Sequence, residues 1–232
     1  MEIGSSEWKA KIVEGARKLG LDVQPGQADQ FASHALTLQE WNQKINLTTI
    51  DSPMDMVVKH FLDSLVASPF IKPGDRLLDV GSGGGFPGIP LKVMQPSLKV
   101  TLVDTVRKKV NFLKHVIRQL RLSDIHAVHS RIEELRQERG DGFDVIVCRA
   151  FSNLDSFAEM SLPLLAPDGR LIAYKAKGFE AEARQSLSGD HAGGIFTVSG
   201  GTAGEQLQMQ FVHFNLPFLN LSRTLMLLNR FH

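Results

Sequence analysis

The 232-residue chain contains one cysteine, one tyrosine and two tryptophans. A single thiol, Cys148, excludes an internal disulfide and offers no cysteine cluster for a metal, and it fits a reducing, cytoplasmic setting. Its apolar neighbours make it read as a small buried residue. Long hydrophobic runs are missing too: none approaches the roughly 20 residues that span a bilayer, so no membrane span is expected. Residues around Glu2 and Glu7 lack the apolar stretch and small-residue cleavage site of a signal peptide. Net charge is nearly absent, with 26 Lys and Arg against 25 Asp and Glu, giving +1. Nucleic-acid binding is therefore not announced globally and would have to come from a local patch. There is no internal repeat and no low-complexity tract. What remains is enough chain to bury one α/β core with a modest extension.

Glycine is locally dense. Residues 81, 83, 84 and 85 are all glycine, directly after the apolar pair Leu77-Leu78 and the acid Asp79. Such a loop turns tightly and lets a ligand approach bare backbone. Pro87 is compatible with a first helical turn. A dinucleotide fingerprint counted from Gly81 needs glycine at position 86, where Phe86 stands. The pattern Asp79-x-Gly81-x-Gly83-x-Gly85 instead resembles motif I of the class I S-adenosylmethionine (SAM) methyltransferases. Asp104 follows Gly81 by 23 residues, at the end of the next apolar run, and suits a carboxylate accepting ribose hydroxyls. That acid serves nicotinamide and SAM sites alike, so a nicotinamide oxidoreductase stays open at this point.

Periodicity divides the chain once. Residues 5–68 carry helical spacing, as in Phe31, Ala35, Leu38, Trp41 and Ile45. From Arg76 onward, strand-like runs at Arg76–Val80, Val100–Asp104, Ile125–Val128, Phe143–Arg149 and Arg170–Lys175 alternate with helical ones. The helical runs fall near Pro87–Met94, Val106–Leu120, Ile132–Arg139 and Asp155–Leu165. This alternation predicts a doubly wound parallel sheet, here a class I methyltransferase-type (Rossmann-like) α/β fold over 69–232 behind a helical extension over 1–68. Ser186–Glu205, rich in Gly, Ser and Ala, reads as a loop, and Gln208–Asn215 with Arg223–Asn229 as a closing antiparallel hairpin.

The methyl acceptor is constrained by what the fourth strand lacks. Val147-Cys148-Arg149-Ala150-Phe151 has no proline pair for an exocyclic amine, and Cys148 has no neighbouring proline of the pyrimidine-C5 type. A nitrogen with a free lone pair, such as guanine N7, needs neither device; elimination takes the residues no further.

The chain as a whole resembles the GidB/RsmG family, from about residue 30 to residue 225. The likeness is carried by Trp41-Asn42-x-x-Ile45-Asn46-Leu47-Thr48, His60-Phe61-Leu62-Asp63-Ser64, Asp79 through Leu91 with its Gly-Phe-Pro-Gly-Ile-Pro continuation, Ser130-Arg131-Ile132-Glu133-Glu134, and Arg149-Ala150-Phe151. The resemblance implies transfer of a methyl group from SAM to guanine N7 of 16S ribosomal RNA, free or in the small-subunit particle, without a metal. It implies that Gly81 and Phe86 line the cofactor site with Asp79 and Gly83 of the same loop, that Asp104 holds the ribose, and that Ile132 and Glu133 flank the adenine. It also puts Arg149 at the mouth shared by cofactor and acceptor, with Lys175 and Arg223 facing RNA. Tyr174-Lys175-Ala176-Lys177-Gly178 departs from the family's shorter Lys-Gly ending.

Each residue also has a plainer reading. Glu133 suits a first-turn helix acid, Arg149 a surface cation, His60 and Asp63 a mutual hydrogen bond or cap, and Trp41 the core. Arg107, Lys108, Lys109, Lys114, Arg118 and Arg121 form a basic row beside the apolar Val106, Val110, Leu113, Ile117 and Leu120: a solvated face or a set of phosphate contacts. A small-molecule SAM methyltransferase and a non-catalytic RNA- or SAM-binding module are the alternatives to RNA methylation.

Overall fold

The computed structural model describes residues 1–135, 142–149, 153–176, 187–188, 193–198 and 205–230. Nine strands form one sheet: β1 Arg76–Val80, β2 Lys99–Asp104, β3 Ile125–His129, β4 Phe143–Cys148, β5 Leu165–Ala176, β6 Leu187–Ser188, β7 Gly193–Thr197, β8 Gln206–Leu216 and β9 Leu221–Arg230. Their order is β3-β2-β1-β4-β5-β9-β8-β7-β6. The first five are parallel, with Leu77 opposite Val100 and Val145, and the last four add antiparallel, with Tyr174 opposite Leu225. Order reverses at β1, so the carboxyl ends of β1 and β4 flank the crevice where ligands bind in open α/β sheets.

Alternation of side chains across the sheet explains its two cores. Leu77, Val147, Ile172 and Leu225 enter one apolar cluster, while their neighbours Leu78, Ile146, Leu171 and Met226 enter the other. The first cluster is roofed by α1 Ser6–Lys18, α2 Pro25–Asn42, α5 Gly88–Met94 and α6 Arg107–Gln119. It also takes a helical run made of α3 Pro53–Asp55, a π-helical stretch Met56–Leu62 and α4 Asp63–Leu65. The second cluster is covered by α7 Leu154–Ser161. Trp8, Phe31 and Phe61 of the helical segment share their cluster with Leu102 and Phe112 of the α/β part, so the sheet and the preceding helices bury one continuous surface.

Three local expectations differ. Ile132–Arg139 is not a helix where described: a single 3-10 turn, Ile132–Glu134, ends at an extended Leu135, because Ile132 and Leu135 both turn into the second cluster; residues 136–141 lie outside the described residues. Ser186–Glu205 is not wholly loop, since β6 and β7 pair outward from β8. The free edge of β8 supplies donors and acceptors that even a glycine-rich segment can satisfy. Val106 caps α6 rather than joining its apolar stripe and is 43% exposed; Phe112 and Val116 are buried there instead.

Candidate active site

The glycine loop folds around two carboxylates. Gly81, Gly83 and Gly85 have φ of 71°, 55° and 90°, the left-handed region that side chains disfavour. A Cβ at Gly81 would meet nothing within 4 Å, so conformation and open space, not packing, require glycine there. Gly88 is different: a Cβ would stand 2.7 Å from Asp79 Oδ2, whose carboxylate accepts the Gly88 N–H at 2.9 Å. Asp79 is fully buried, its Oδ1 has no hydrogen-bond partner, and burial pushes its pKa up to about 7 against the opposing pull of Gly88. Asp104, at the end of β2, accepts the N–H of Gly83 at 3.0 Å on Oδ2 and of Val106 at 2.8 Å on Oδ1. Each of its oxygens keeps a second lone pair beside the loop.

The other wall of the loop comes from the helical segment. Phe86 is 7% exposed and sandwiched between two imidazoles, His60 at 4.3 Å and His34 at 4.7 Å between ring centroids, both nearly parallel. His34 Nε2 lies 2.8 Å from the Gly84 carbonyl; a carbonyl only accepts, so this nitrogen carries the proton. His60 Nε2 pairs with Thr48 Oγ1 at 2.9 Å. Thr48 is set in turn by Asn42, whose side chain accepts the N–H groups of Leu47 and Thr48 and donates to the Thr48 carbonyl. Burial lowers the pKa of His34 to about 4; burial, then the Arg149 charge, lowers that of His60 to about 3. Both rings are neutral near pH 7.

Arg149, just past β4, does not point to open solvent: its side chain is 20% exposed. It donates to the carbonyls of Lys59 at 2.8 Å and His60 at 3.4 Å and to Ser64 Oγ at 3.2 Å, capping the π-helical stretch. Its guanidinium also stands 3.3 Å from Asp63 Oδ2, while Arg223 of β9 pairs with Asp63 Oδ1. Asp63 is wholly buried between the two cations, and Tyr174 of β5 donates to the Ser64 carbonyl at 2.8 Å. His60 and Asp63 thus do not bond each other; one serves the stack and the other the arginines.

Gly81, Gly83, Asp79 and Asp104 therefore stand together, with Arg149 close by and Phe86 as the bolt of the loop. Ile132 and Glu133, after β3, instead line a 520 Å³ cleft with Ser156, Glu159 and Met160 of α7. Lys175 is 8% exposed and stands opposite Thr224 in the sheet. Cys148 is buried. Ala150, Phe151, Lys177 and Gly178 lie outside the described residues. His34, Thr48 and Tyr174 are the contributors not foreseen. The partners of His34 and Tyr174 are 50 and 110 residues away, whereas Thr48 bonds within 12 residues, and only the Thr48 and His60 motifs carried a signal.

The buried Asp79 with an orphaned oxygen, the left-handed glycines and the free lone pairs of Asp104 fit a cationic, hydroxyl-bearing adenosine ligand. Comparison with known proteins agrees. A GidB family model, described as rRNA small subunit methyltransferase G, matches residues 27–192. Ribosomal RNA small subunit methyltransferase G of Geotalea uraniireducens is 44% identical over 96% of both chains, and that of Alkaliphilus metalliredigens 37% identical over 97% of this chain and 91% of its own. Among solved structures, a SAM-dependent methyltransferase from Aquifex aeolicus superposes with TM-score 0.56 at 17% identity, covering 79% of this chain and 97% of that one. TYW2 from M. jannaschii, solved with AdoMet, gives 0.52 at 12% identity over 73% and 75%. The architecture is the class I SAM-dependent methyltransferase fold, and by the extent of these matches the chain belongs to the GidB family of ribosomal RNA small subunit methyltransferases.

Proposed function

We propose that this chain methylates N7 of a guanine in 16S ribosomal RNA, using SAM, in the cytoplasm, on the free RNA or the small-subunit particle. The observation that carries the choice of acceptor is that the candidate bases near the loop are sealed away from an incoming acceptor. His34, Asp63 and Asp79 are wholly buried and His60 is 6% exposed, with His60 stacked and bonded to Thr48 and Asp63 held between two guanidiniums. An acceptor nitrogen with its own lone pair suits such a site, because no proton has to leave before attack.

SAM supplies a sulfonium methyl group that is open to in-line displacement. Gly81 and Gly83 give it backbone access, Asp104 receives the ribose, and Ile132 with Glu133 bounds the adenine. Asp79 counters positive charge beneath the loop. Phe86 acts through the loop it anchors. Arg149 and Arg223, oriented by Asp63, form the acceptor side, with Lys175 reaching the end of β5 from the opposite face of the sheet; fixed cations there favour guanine oxygen or phosphate and hold the base in line. No described helix is long and apolar enough to cross a membrane.

The test is methyl transfer from labelled SAM to RNA of a strain lacking this gene, followed by nucleoside analysis. Label in 7-methylguanosine of the small-subunit RNA is the expected result. Label in another nucleoside overturns the N7 assignment, and label in no RNA favours a small-molecule enzyme or a binding module.

A further inference from the structure

Between Asp104 and Asp124 the chain has no acidic residue, yet it carries six cations: Arg107, Lys108, Lys109, Lys114, Arg118 and Arg121. All but Lys109 are exposed, and among the described residues none of the six forms an ion pair. For a chain whose net charge is only +1, this is a strong local concentration. Along the flank of α6 runs a groove of 740 Å³ whose walls include Trp41, Asn111, Lys114, His115, Arg118 and the first residues of β3. Trp41 is half-buried: its indole stands edge-on to Phe112 at 5.6 Å and tilted against His115 at 5.3 Å. The indole was expected to be core, and on one side it is. Its other side borders the groove, next to unpaired cations and the Asn111 amide.

Resting on the reading that the substrate is RNA, we propose that this groove docks a single-stranded segment of the substrate, one base against the Trp41–His115 pair and the adjoining phosphates on Lys114 and Arg118. Unpaired cations confer salt-sensitive affinity for phosphate. An accessible aromatic face takes any unstacked base, which a duplex does not offer. Lys114 and Arg118 lie about 10 and 16 Å along the helix from Arg107, its first residue. Its β3 wall, Ile125–Ala127, lies toward the opposite end of the strands from Asp104, so the groove holds nucleotides at a distance from the target guanine and not the guanine itself.

Trp8 is wholly buried and donates to the Pro53 carbonyl at 3.0 Å, so indole quenching by an added polymer reports Trp41. The full-length protein is titrated with a single-stranded oligoribonucleotide and, separately, with inorganic polyphosphate of equal charge. Quenching by the oligonucleotide only is expected. The surface double variant Lys114→Gln/Arg118→Gln should weaken it while leaving SAM affinity unchanged, and should lower the slope of log affinity against log salt by about 1.4. In methyl transfer, Trp41→Ala should raise the KM for RNA roughly tenfold at unchanged kcat. Equal quenching by polyphosphate, no quenching by RNA, or an unchanged KM in both variants overturns the groove while leaving the proposed function standing. If the wild-type chain methylates no RNA, that function fails instead, and the titration still decides the groove.

Discussion

At the scale of single residues, three buried ionisable groups with large shifts contribute to how the fold responds to pH. His34 and His60 have folded pKa values of about 4 and about 3, below the open-chain 6.5, so unfolding takes up protons below pH 6.5 and their contribution to stability is lost as pH falls. Asp79 acts oppositely: raised from 3.8 to about 7, it destabilises increasingly as pH rises through that interval. From about pH 6 to about pH 4.5 the two imidazoles outnumber the one carboxyl, leaving a net uptake of about one proton and a loss of about 1.4 kcal/mol per pH unit. Urea midpoints measured across this range check it; a flat profile would show that the rings are hydrated. A second expectation concerns Asp79 and its unpartnered oxygen. Binding a cationic ligand favours the ionised carboxyl, so SAM affinity should climb between about pH 6 and about pH 8 in calorimetric titration, and Asp79→Asn should remove the climb. His34→Leu strips the donor from the buried Gly84 carbonyl and should cost about 1–3 kcal/mol of folding stability, read from denaturant curves.

Among the elements, the glycine loop and the π-helical stretch are coupled through packing and charge. Gly88→Ala would drive a Cβ to 2.4 Å from Leu102 Cδ2 and 2.7 Å from the Asp79 carboxylate, inside α5 where the backbone has no room to yield. A destabilisation of about 1–3 kcal/mol is expected, together with weaker SAM binding, both measurable in a thermal-shift titration. The parallel strands were legible because each is an apolar run bounded by polar or glycine residues; Leu77–Asp79 and Val145–Cys148 have no other economical fold. The loop and Asp104 were legible for the same reason, being local in sequence. The sandwich of Phe86 between His34 and His60 was not, since its members are 26 and 52 residues apart and nothing in their spacing announces a stack. Strands β6 and β7 were hidden for another reason: their composition has no strand pattern, and pairing with β8 creates them. Arg149 was placed at the correct strand end, but its commitment to helical carbonyls depends on a π-helical stretch that no periodicity reveals.

For the molecule as a whole, the shared apolar cluster argues that the helices before residue 69 and the sheet after it fold together. Residues 69–232 expressed alone should lack a cooperative unfolding transition, because the faces of α5 and α6 that meet Phe31 and Phe61 would be bare. Circular dichroism during a urea titration distinguishes this from an independent unit, which would show a sharp transition. Strand β9 carries a temporal consequence. It is made after β8 yet lies between β5 and β8, so until Leu221–Arg230 has been synthesised both neighbours present open edges to the cell. The same strand delivers Arg223 to Asp63. A premature stop just ahead of β9 would therefore do more than shorten the protein: it would split the sheet at its middle and leave a nascent chain exposed to chaperones and proteases.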